Sequence, residues 1–581
     1  MNKMEKIICL VLGGVFAWYV FFEMPRQQKA AKAVCASEAV CAPAAAPASV
    51  AAAVSSPVAP PSAPADPGPD REISVSNAEE VVTFALNKEG VAIKSITLLA
   101  YAQNKGAVSG SNPPVTFAFG KGSRALALAD MPLAQPSEMV EFRADSPTSV
   151  VYRTEQVERR FTLLGGYRIG LHEKFSGAAA QSGAHALSIG SMEMGSSKND
   201  LLSLDSMLSA NGKGKPEAVH HSEEEPLEDW LVGGLSGGCS GSKNAAGLPA
   251  SMSFDLSGRR DWVAIKNRFF VTALASCDQQ NTGFGATIAR DMSKPTYQPK
   301  SASAAVRFAS TPAERTSVFY AGPKKQELLW DLGMRDVMEF GMWSWLCYPV
   351  VWALNVFNGW FPNYGVAIIL LTVLVRVLFW PLTHKSTVGM KKMQEIQPLM
   401  KELQAKYKDN PQRLQQETWQ LYREKKVNPM SSCLPMLIQI PVFIALFNVL
   451  RSAVELRYAP FLWIADLSEP EALGATSWFP FFGGLNILPI LMAATMALQS
   501  ALTPSTGDKS QQKMMMVFMP VMMLFMFYSF PAALSLYWTL SQVFSIVQMW
   551  LIRRQSAAGR PAPLTPEVID PPVTRQMRRH A

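Results

Sequence analysis

Arg376 is the residue in this chain that most needs a chemical explanation. It lies inside residues 367–380, whose other thirteen side chains are uncharged and almost all apolar (AIILLTVLVRVLFW). A charge in such a run costs several kcal/mol if the run crosses lipid, unless the charge meets water or a polar partner. Two readings compete. In one, Arg376 snorkels to the surface near Leu382, about 9 Å further along a helix that rises 1.5 Å per residue. In the other it faces a hydrated cavity, where a cation attracts carboxylates across a low dielectric. Helical side chains lean toward the N-terminus, so Arg376 leans away from the nearer surface, which favours the cavity.

Other side chains have the polarity to line that cavity. Thr372 stands one turn before Arg376, and Gln439, Gln499, Ser541, Gln542 and Ser545 fall in later apolar runs. Taken singly, each reads equally well as a helix–helix hydrogen bond. Residues 514–530 concentrate methionine: Met514, Met515, Met516, Met519, Met522, Met523 and Met526. Such unbranched, polarizable side chains can repack around unrelated apolar partners, although ordinary bundle packing or lipid contact would use them too. Pro435 and Pro441 are expected to bend the run that holds them and to free backbone carbonyls.

Other chemistries lack their residues. There is no GxxxxGK loop for nucleotide hydrolysis and no HExxH among the six histidines, and no Asp or Glu lies within any apolar run to relay protons. The seven cysteines are scattered without a CxxC, so no metal site or other cofactor is expected and the chain does not read as an enzyme. No nucleic-acid motif accompanies the net charge of +8, which excludes direct base readout and assigns the charge to membrane topology.

Five runs, 363–382, 429–450, 485–502, 514–530 and 534–552, have the length and apolarity of membrane helices. Lys385, Lys391, Lys392, Lys401 and further basic residues through Lys426 crowd the first connection, and Arg553, Arg554, Arg575, Arg578 and Arg579 crowd the tail. Both therefore belong in the cytoplasm. The connection 452–484 carries Glu455, Asp466, Glu469 and Glu471 against Arg457 alone, which suits the opposite side. Within 384–428, Met393, Ile396 and Leu403, then Leu414 and Leu421, recur at helical spacing on either side of Asp409-Asn410-Pro411. This predicts a cytoplasmic helical hairpin whose first arm is kinked at Pro398.

The preceding chain is organised differently. Residues 1–24 hold an apolar run that reads as a signal peptide or an uncleaved anchor, and its length favours the anchor. Residues 25–72 are an Ala/Pro-rich disordered linker. Residues 73–320 alternate in short β-type runs (81–86, 91–96, 151–164, 167–175 and 262–274), with turn signals at 87–90 and at Gly165-Gly166, and predict an antiparallel β-sandwich. A polar insertion is expected at 197–247. Cys239 and Cys277 fall in this exported domain, where a disulfide between them and two free thiols are both open readings. Residues 321–361 include a Trp-rich helix, 343–357, expected to lie at the interface of the outer leaflet. Residues 362–553 form a five-helix core, and 554–581 a basic cytoplasmic tail. The fold class is an α-helical polytopic membrane bundle with a periplasmic antiparallel β-sandwich.

At this point the residues carry a resemblance. The segments TVLVR from Thr372 to Arg376, Pro381-Leu-Thr, KKVNP at 425–429, CLPMLIQIPVF at 433–443, SAVELR at 452–457, Asp466-Leu, LPILM at 488–492, Met519-Pro520-Val and Phe530-Pro531 are together similar to the YidC-type membrane protein insertases in their Gram-negative form. The match is strong over 320–552 and extends to the β domain only by placement and strand pattern. It implies an inner-membrane protein that inserts and helps fold nascent membrane proteins without ATP, alone or with the Sec translocon, with the ribosome and lipid bilayer as partners and both termini cytoplasmic. The chain is expected to act as a monomer.

The resemblance further implies a groove open to the cytoplasm and to lipid, with Arg376 at its arginine, Thr372 at its threonine and Trp538 at an aromatic contact; Gln439, Gln499, Ser541 and Gln542 are expected from their polarity to line it with them. It implies a substrate slide of Ile440, Pro441, Met515, Met519, Met522, Met523 and Met526. Tyr537-Trp538 departs from relatives that carry two tyrosines, so an aromatic contact is kept and a hydroxyl is in doubt. The family's exported domain has a supersandwich-like fold. Two alternatives rest on the residues alone: a secondary transporter of a small anion using Arg376, and a membrane-tethered carbohydrate-active protein built on the β domain.

Overall fold

The computed structural model describes residues 71–558 apart from 88–89, 105–111, 120–123, 130–138, 181–182, 194–202, 209–216, 220–250, 277–280, 291–298, 339, 409, 426, 428–433, 474–483 and 503–513. The expected anchor, nearly all of the linker, the basic tail beyond 558 and the Cys239–Cys277 pair lie outside the described residues.

Strands come first: β1 (Arg71–Ser76), β2 (Glu80–Asn87), β3 (Gly90–Ala102), β4 (Pro114–Ala118), β5 (Ala125–Ala129), β6 (Met139–Ser146), β7 (Ser149–Thr154), β8 (Val157–Gly165) and β9 (Arg168–Phe175). They continue with β10 (His185–Glu193), β11 (Ser203–Leu208), β12 (Glu217–Val219), β13 (Ser251–Ser257), β14 (Arg260–Lys266), β15 (Phe270–Ser276), β16 (Asn281–Arg290), β17 (Pro299–Phe308) and β18 (Glu314–Pro323). They build two nine-stranded antiparallel sheets. One runs β1-β2-β3-β5-β10-β17-β16-β13 with β4 paired to β3, and the other β12-β11-β14-β15-β18-β9-β8-β7-β6. Alternation drives the layering: β8 and β9 bury every second residue, and Phe84 of one sheet meets Phe161 of the other at a centroid distance of 4.9 Å.

Three sequence expectations are corrected. The run 151–164 is two strands, because the Thr154 hydroxyl accepts from the Gln156 and Val157 amides at 3.3 and 3.0 Å and folds a turn there. The run 262–274 is also two strands, divided where Asn267 Oδ1 accepts from the Phe269 and Phe270 amides at 3.0 and 2.8 Å. The segment 197–247 is not wholly an insertion, since β11 pairs along β14 from Ser203↔Lys266 to Leu208↔Arg260.

The sandwich encloses an ionic cluster. Glu173 accepts from Arg159 Nε at 2.8 Å and from Arg315 Nε at 2.7 Å. Arg159 also donates to the Val91 and Leu126 carbonyls, and Arg315 donates to His185 Nε2 at 2.8 Å. Burial pushes the Glu173 carboxyl up, but the two guanidiniums outweigh it and hold it below the usual carboxylate range. Pairing of this kind, with a hydrogen bond from each guanidinium to the carboxylate, is what makes buried charge tolerable.

Glu80 has weaker support. It is buried, and its side chain accepts from the Asn77 side-chain amide at 3.4 Å. Burial lifts its pKa to about 7, the Asn77 hydrogen bond opposes the shift, and neighbouring Glu79 adds to it.

The chain divides into two compact units. The first holds the β domain, residues 321–378, 436–486 and 529–534; the second holds 379–435, 487–528 and 535–581. Helices follow the strands: α1 (Gln326–Asp331), α2 (Ser344–Trp360), α3 (Tyr364–Glu395), α4 (Gln397–Lys406), α5 (Pro411–Glu424), α6 (Leu434–Ser452), α7 (Ile487–Leu502), α8 (Met519–Phe527) and α9 (Ala532–Ala558). A π-helical turn, Met514–Phe518, precedes α8. Among the described residues, Tyr364–His384 alone is both long and apolar enough to cross a bilayer, while Gln439–Ser452, Ile487–Leu502 and Met516–Phe527 are apolar but shorter. The expected first span does not stop at 382: α3 continues through Glu395 and takes in the start of the expected hairpin. Pro435 falls in the first turn of α6, where a missing N–H costs little, so only Pro441 interrupts the helix.

Because folding raises the Glu80 pKa from 4.5 to about 7, the folded chain favours the protonated form. That stability is present at low pH and lost as pH rises through about 7, by up to about 3 kcal/mol. Thermal unfolding of the detergent-solubilised chain between pH 5 and 8 checks this. Glu80→Gln is expected to flatten the decline and raise the midpoint at pH 8, and an unchanged slope would contradict it.

Candidate functional site

In the first unit, α3 brings Thr372 and Arg376 onto the face that carries the buried Ile368 and Leu371. Thr372 is fully buried and donates its hydroxyl to the Ile368 carbonyl at 2.7 Å, so that group serves its own helix. Arg376 follows one turn later and is half-buried. On α6, Gln439 and Pro441 are half-buried and Ile440 is exposed.

The second unit holds the remaining candidates. Trp538 and Ser541 lie in α9, half-buried and buried respectively, and Gln542 is half-buried beside them. The Trp538 ring packs on Phe527 of α8 at 5.3 Å. Gln499, half-buried, sits in the last turn of α7. On α8 the exposed stripe consists of Val521, Met522 and Phe525, continuing from Val517 and Phe518 in the π-helical turn. Met519, Met523 and Met526 are half-buried beside that stripe, and Met515 lies within the turn. Among Met519, Met522, Met523 and Met526, Met522 is therefore the exposed one.

The connection after α3 folds around a small apolar cluster of Met393, Ile396 and Val427, with Tyr422 packed against it. Leu421 is buried, Leu403 and Leu414 are half-buried, and Pro398 is exposed in the first turn of α4. The chain breaks at Ile396 between α3 and α4, and this break takes the place of the expected kink. Asn410 caps α5 by accepting from the Arg413 amide at 3.1 Å, with Pro411 in the first turn.

Three polar links, made by Gln548, Arg268 and Arg457, have no counterpart among the expected site residues. Gln548 of α9 donates to Thr383 of α3 at 3.1 Å, tying these helices together within the second unit. In the first unit, Arg268 projects from the β14–β15 turn and is almost fully buried. It donates to the Arg451 carbonyl at the end of α6 at 2.7 Å, to the Ser468 carbonyl at 2.5 Å and to the Glu469 carboxylate. The same segment caps α9, since the Ala533 and Ala532 amides donate to the Leu467 and Glu469 carbonyls at 3.0 and 2.9 Å. Arg457 reaches back to the carbonyls of Ala102 and Gln103 at 2.8 and 3.2 Å.

Two family models match this chain. One, the 60Kd inner membrane protein, covers residues 356–559 and with them every expected groove and slide residue. The other, the YidC periplasmic domain, covers 243–353. The membrane protein insertase YidC of Chlorobaculum tepidum is 31% identical over 512 residues, covering 83% of this chain and 82% of the relative. That of Prosthecochloris aestuarii is 30% identical over 548 residues, 88% of each. The chain belongs to the YidC family of membrane protein insertases. Matches of higher identity are shorter: the Syntrophobacter fumaroxidans insertase is 40% identical over 299 residues, and the chain spans about half of that relative's length (54%). An active YidC insertase crystal structure with the first transmembrane domain resolved aligns with 84% of this chain and 93% of its own, at 19% identity and a TM-score of 0.34.

YidC membership makes the chain an inner-membrane protein with a periplasmic domain. Arg268 falls within the part matched to that domain, whereas its partners lie in the part matched to the membrane protein. Removing its side chain takes three hydrogen bonds out of a buried site, a loss of about 3 kcal/mol. Arg268→Ala is expected to lower the unfolding midpoint in micelles by several degrees and to speed tryptic cleavage after Arg451 and Arg457. Unchanged cleavage would show that Arg268 does not hold the segment.

Proposed function

We propose that this chain transfers hydrophobic segments of nascent inner-membrane proteins from the cytoplasm into lipid without hydrolysing a nucleotide, acting as a monomer with the ribosome and the Sec translocon as its partners. The observation that carries the proposal is Arg376, half-buried in α3, which alone among the described residues is long and apolar enough to cross a bilayer, one turn beyond Thr372. A cation held there attracts the short acidic or polar flank of an incoming segment, and hydration of its surroundings thins the apolar barrier that the flank must cross. The apolar stretch leaves past Ile440, Pro441 and the exposed stripe of α8. Burying about 20 apolar residues in lipid is favourable enough to drive the step.

Gln439, Gln499, Ser541, Gln542 and Trp538 are proposed to supply the remaining polar and aromatic lining, with Met515, Met519, Met523 and Met526 flanking the slide. The α4–α5 segment, with Met393, Ile396, Pro398, Leu403, Leu414 and Leu421, is proposed to receive the nascent chain on the cytoplasmic side, where both termini also lie. Family membership supports this reading, and no observation of the fold favours anion transport or carbohydrate chemistry.

The test is insertion of a substrate with an acidic flank into proteoliposomes. Arg376→Glu is expected to reduce insertion at least about tenfold, the ratio that corresponds to ~1.4 kcal/mol. Arg376→Lys should retain most activity, and substrates with uncharged flanks should be affected less. Equal insertion of acidic-flanked substrates by Arg376→Glu would contradict the electrostatic role.

A further inference from the structure

Between α6 and α7, in the first unit, the chain makes a small two-residue hairpin. Phe461 and Ile464 exchange backbone hydrogen bonds at 2.9 and 2.8 Å, leaving Leu462 and Trp463 at the tip. Leu462 is 75% exposed and Trp463 44%. Leu462 has φ 51°, in the left-handed region that a turn ordinarily fills with Gly or Asn.

The base of the hairpin is fixed. Asp466 Oδ1 accepts from the Tyr458 amide at 3.1 Å, the Ser468 amide at 2.8 Å and the Ser468 hydroxyl at 2.7 Å, and the Leu467 amide donates to the Ala459 carbonyl at 3.1 Å. A tip facing water would gain from a small polar residue. Here a strained backbone holds an apolar side chain outward on a rigid base, and strain of this kind persists where the displayed group is used.

Position in the fold identifies what the tip meets. The Phe461 ring lies against the first turn of α3, where a Cβ added to Gly365 would come within 2.1 Å of it. Tyr364–His384 is the apolar membrane-length segment, and it begins shortly after the part matched to the periplasmic domain. The hairpin therefore stands where a membrane span emerges on the periplasmic side. The exposed Trp360 and Phe361 flank the same point from the end of α2. From Tyr458 to Ala465 the chain carries no charge. Trp beside aliphatic side chains suits the boundary between headgroups and acyl chains.

We propose that Leu462 and Trp463 form a wedge that enters the periplasmic-leaflet interface and seats the connection between α6 and α7 on lipid. The proposal rests on membership of a membrane family and not on the insertion mechanism.

A nitroxide at Leu462→Cys, with the seven native cysteines replaced, tests it in vesicles of phosphatidylethanolamine and phosphatidylglycerol. The ratio of collisions with oxygen to collisions with a water-soluble nickel chelate is expected to exceed, at least several-fold, that of a label at Ser253 on the exposed side of β13. A ratio equal to that at Ser253 would overturn the proposal by showing a solvated tip. Exclusion of both reagents would overturn it by showing that protein, from this chain or a partner, covers the tip. Leu462→Gly gives a second arm, since it relieves the positive φ. Its unfolding midpoint in micelles is expected to equal or exceed that of the unaltered chain, and a lower one would mean that Leu462 packs on protein and would overturn the wedge.

Discussion

The cost of placing a guanidinium inside an apolar helix governs how the helical part of this chain is read. Arg376 lies twelve residues beyond Tyr364, about 18 Å along a helix at 1.5 Å per residue, which is beyond the middle of a hydrocarbon layer roughly 30 Å thick. Lipid does not compensate a charge at that depth. The position is compatible with a stable fold because Arg376 continues the buried face of α3 and does not share the exposed side of Val373. The proposed handling of substrate follows from that placement, since a half-buried cation in an apolar helix needs water or a polar partner.

The periplasmic domain meets a similar constraint with a different solution. Inside the sandwich, two arginines pair with one glutamate, and His185 accepts from Arg315 while stacking on Phe308. Burial and the Arg315 guanidinium hold His185 below the ordinary imidazole range, so it remains a neutral acceptor. At the edge of the domain, Arg268 carries a buried charge outward onto the membrane-proximal connection, where α6 ends and α9 is capped. One side chain thereby fixes a helix C-terminus, and through the segment it holds, a helix N-terminus as well. The same hydrogen bonds that satisfy those helix ends join the domain to the rest of the first unit.

Local pattern made much of this visible in the sequence. Period-two alternation in β8 and β9, the Gly165-Gly166 turn and the Asn410-Pro411 helix start all depend on neighbours within a few residues. The two divided runs are local as well: the Thr154 and Asn267 side chains fold turns inside runs whose apolar residues look continuous, and a single Thr or Asn is a weaker turn signal than Gly or Pro. β11 was hidden because a strand in a polar stretch is fixed by its partner β14, some 60 residues away. Arg268 lies about 200 residues from Glu469 and Ser468, and no spacing rule connects them. Arg376 stood out without any such help, because its surroundings in the sequence are the anomaly.

The most direct measurement is photo-crosslinking from position 375, which leaves the Arg376 guanidinium in place, to ribosome-stalled chains of increasing length. The account predicts adducts with the flank of the first hydrophobic segment at intermediate lengths, lost once that segment has entered lipid. Adducts with lipid alone at every length, while insertion proceeds normally, would contradict it.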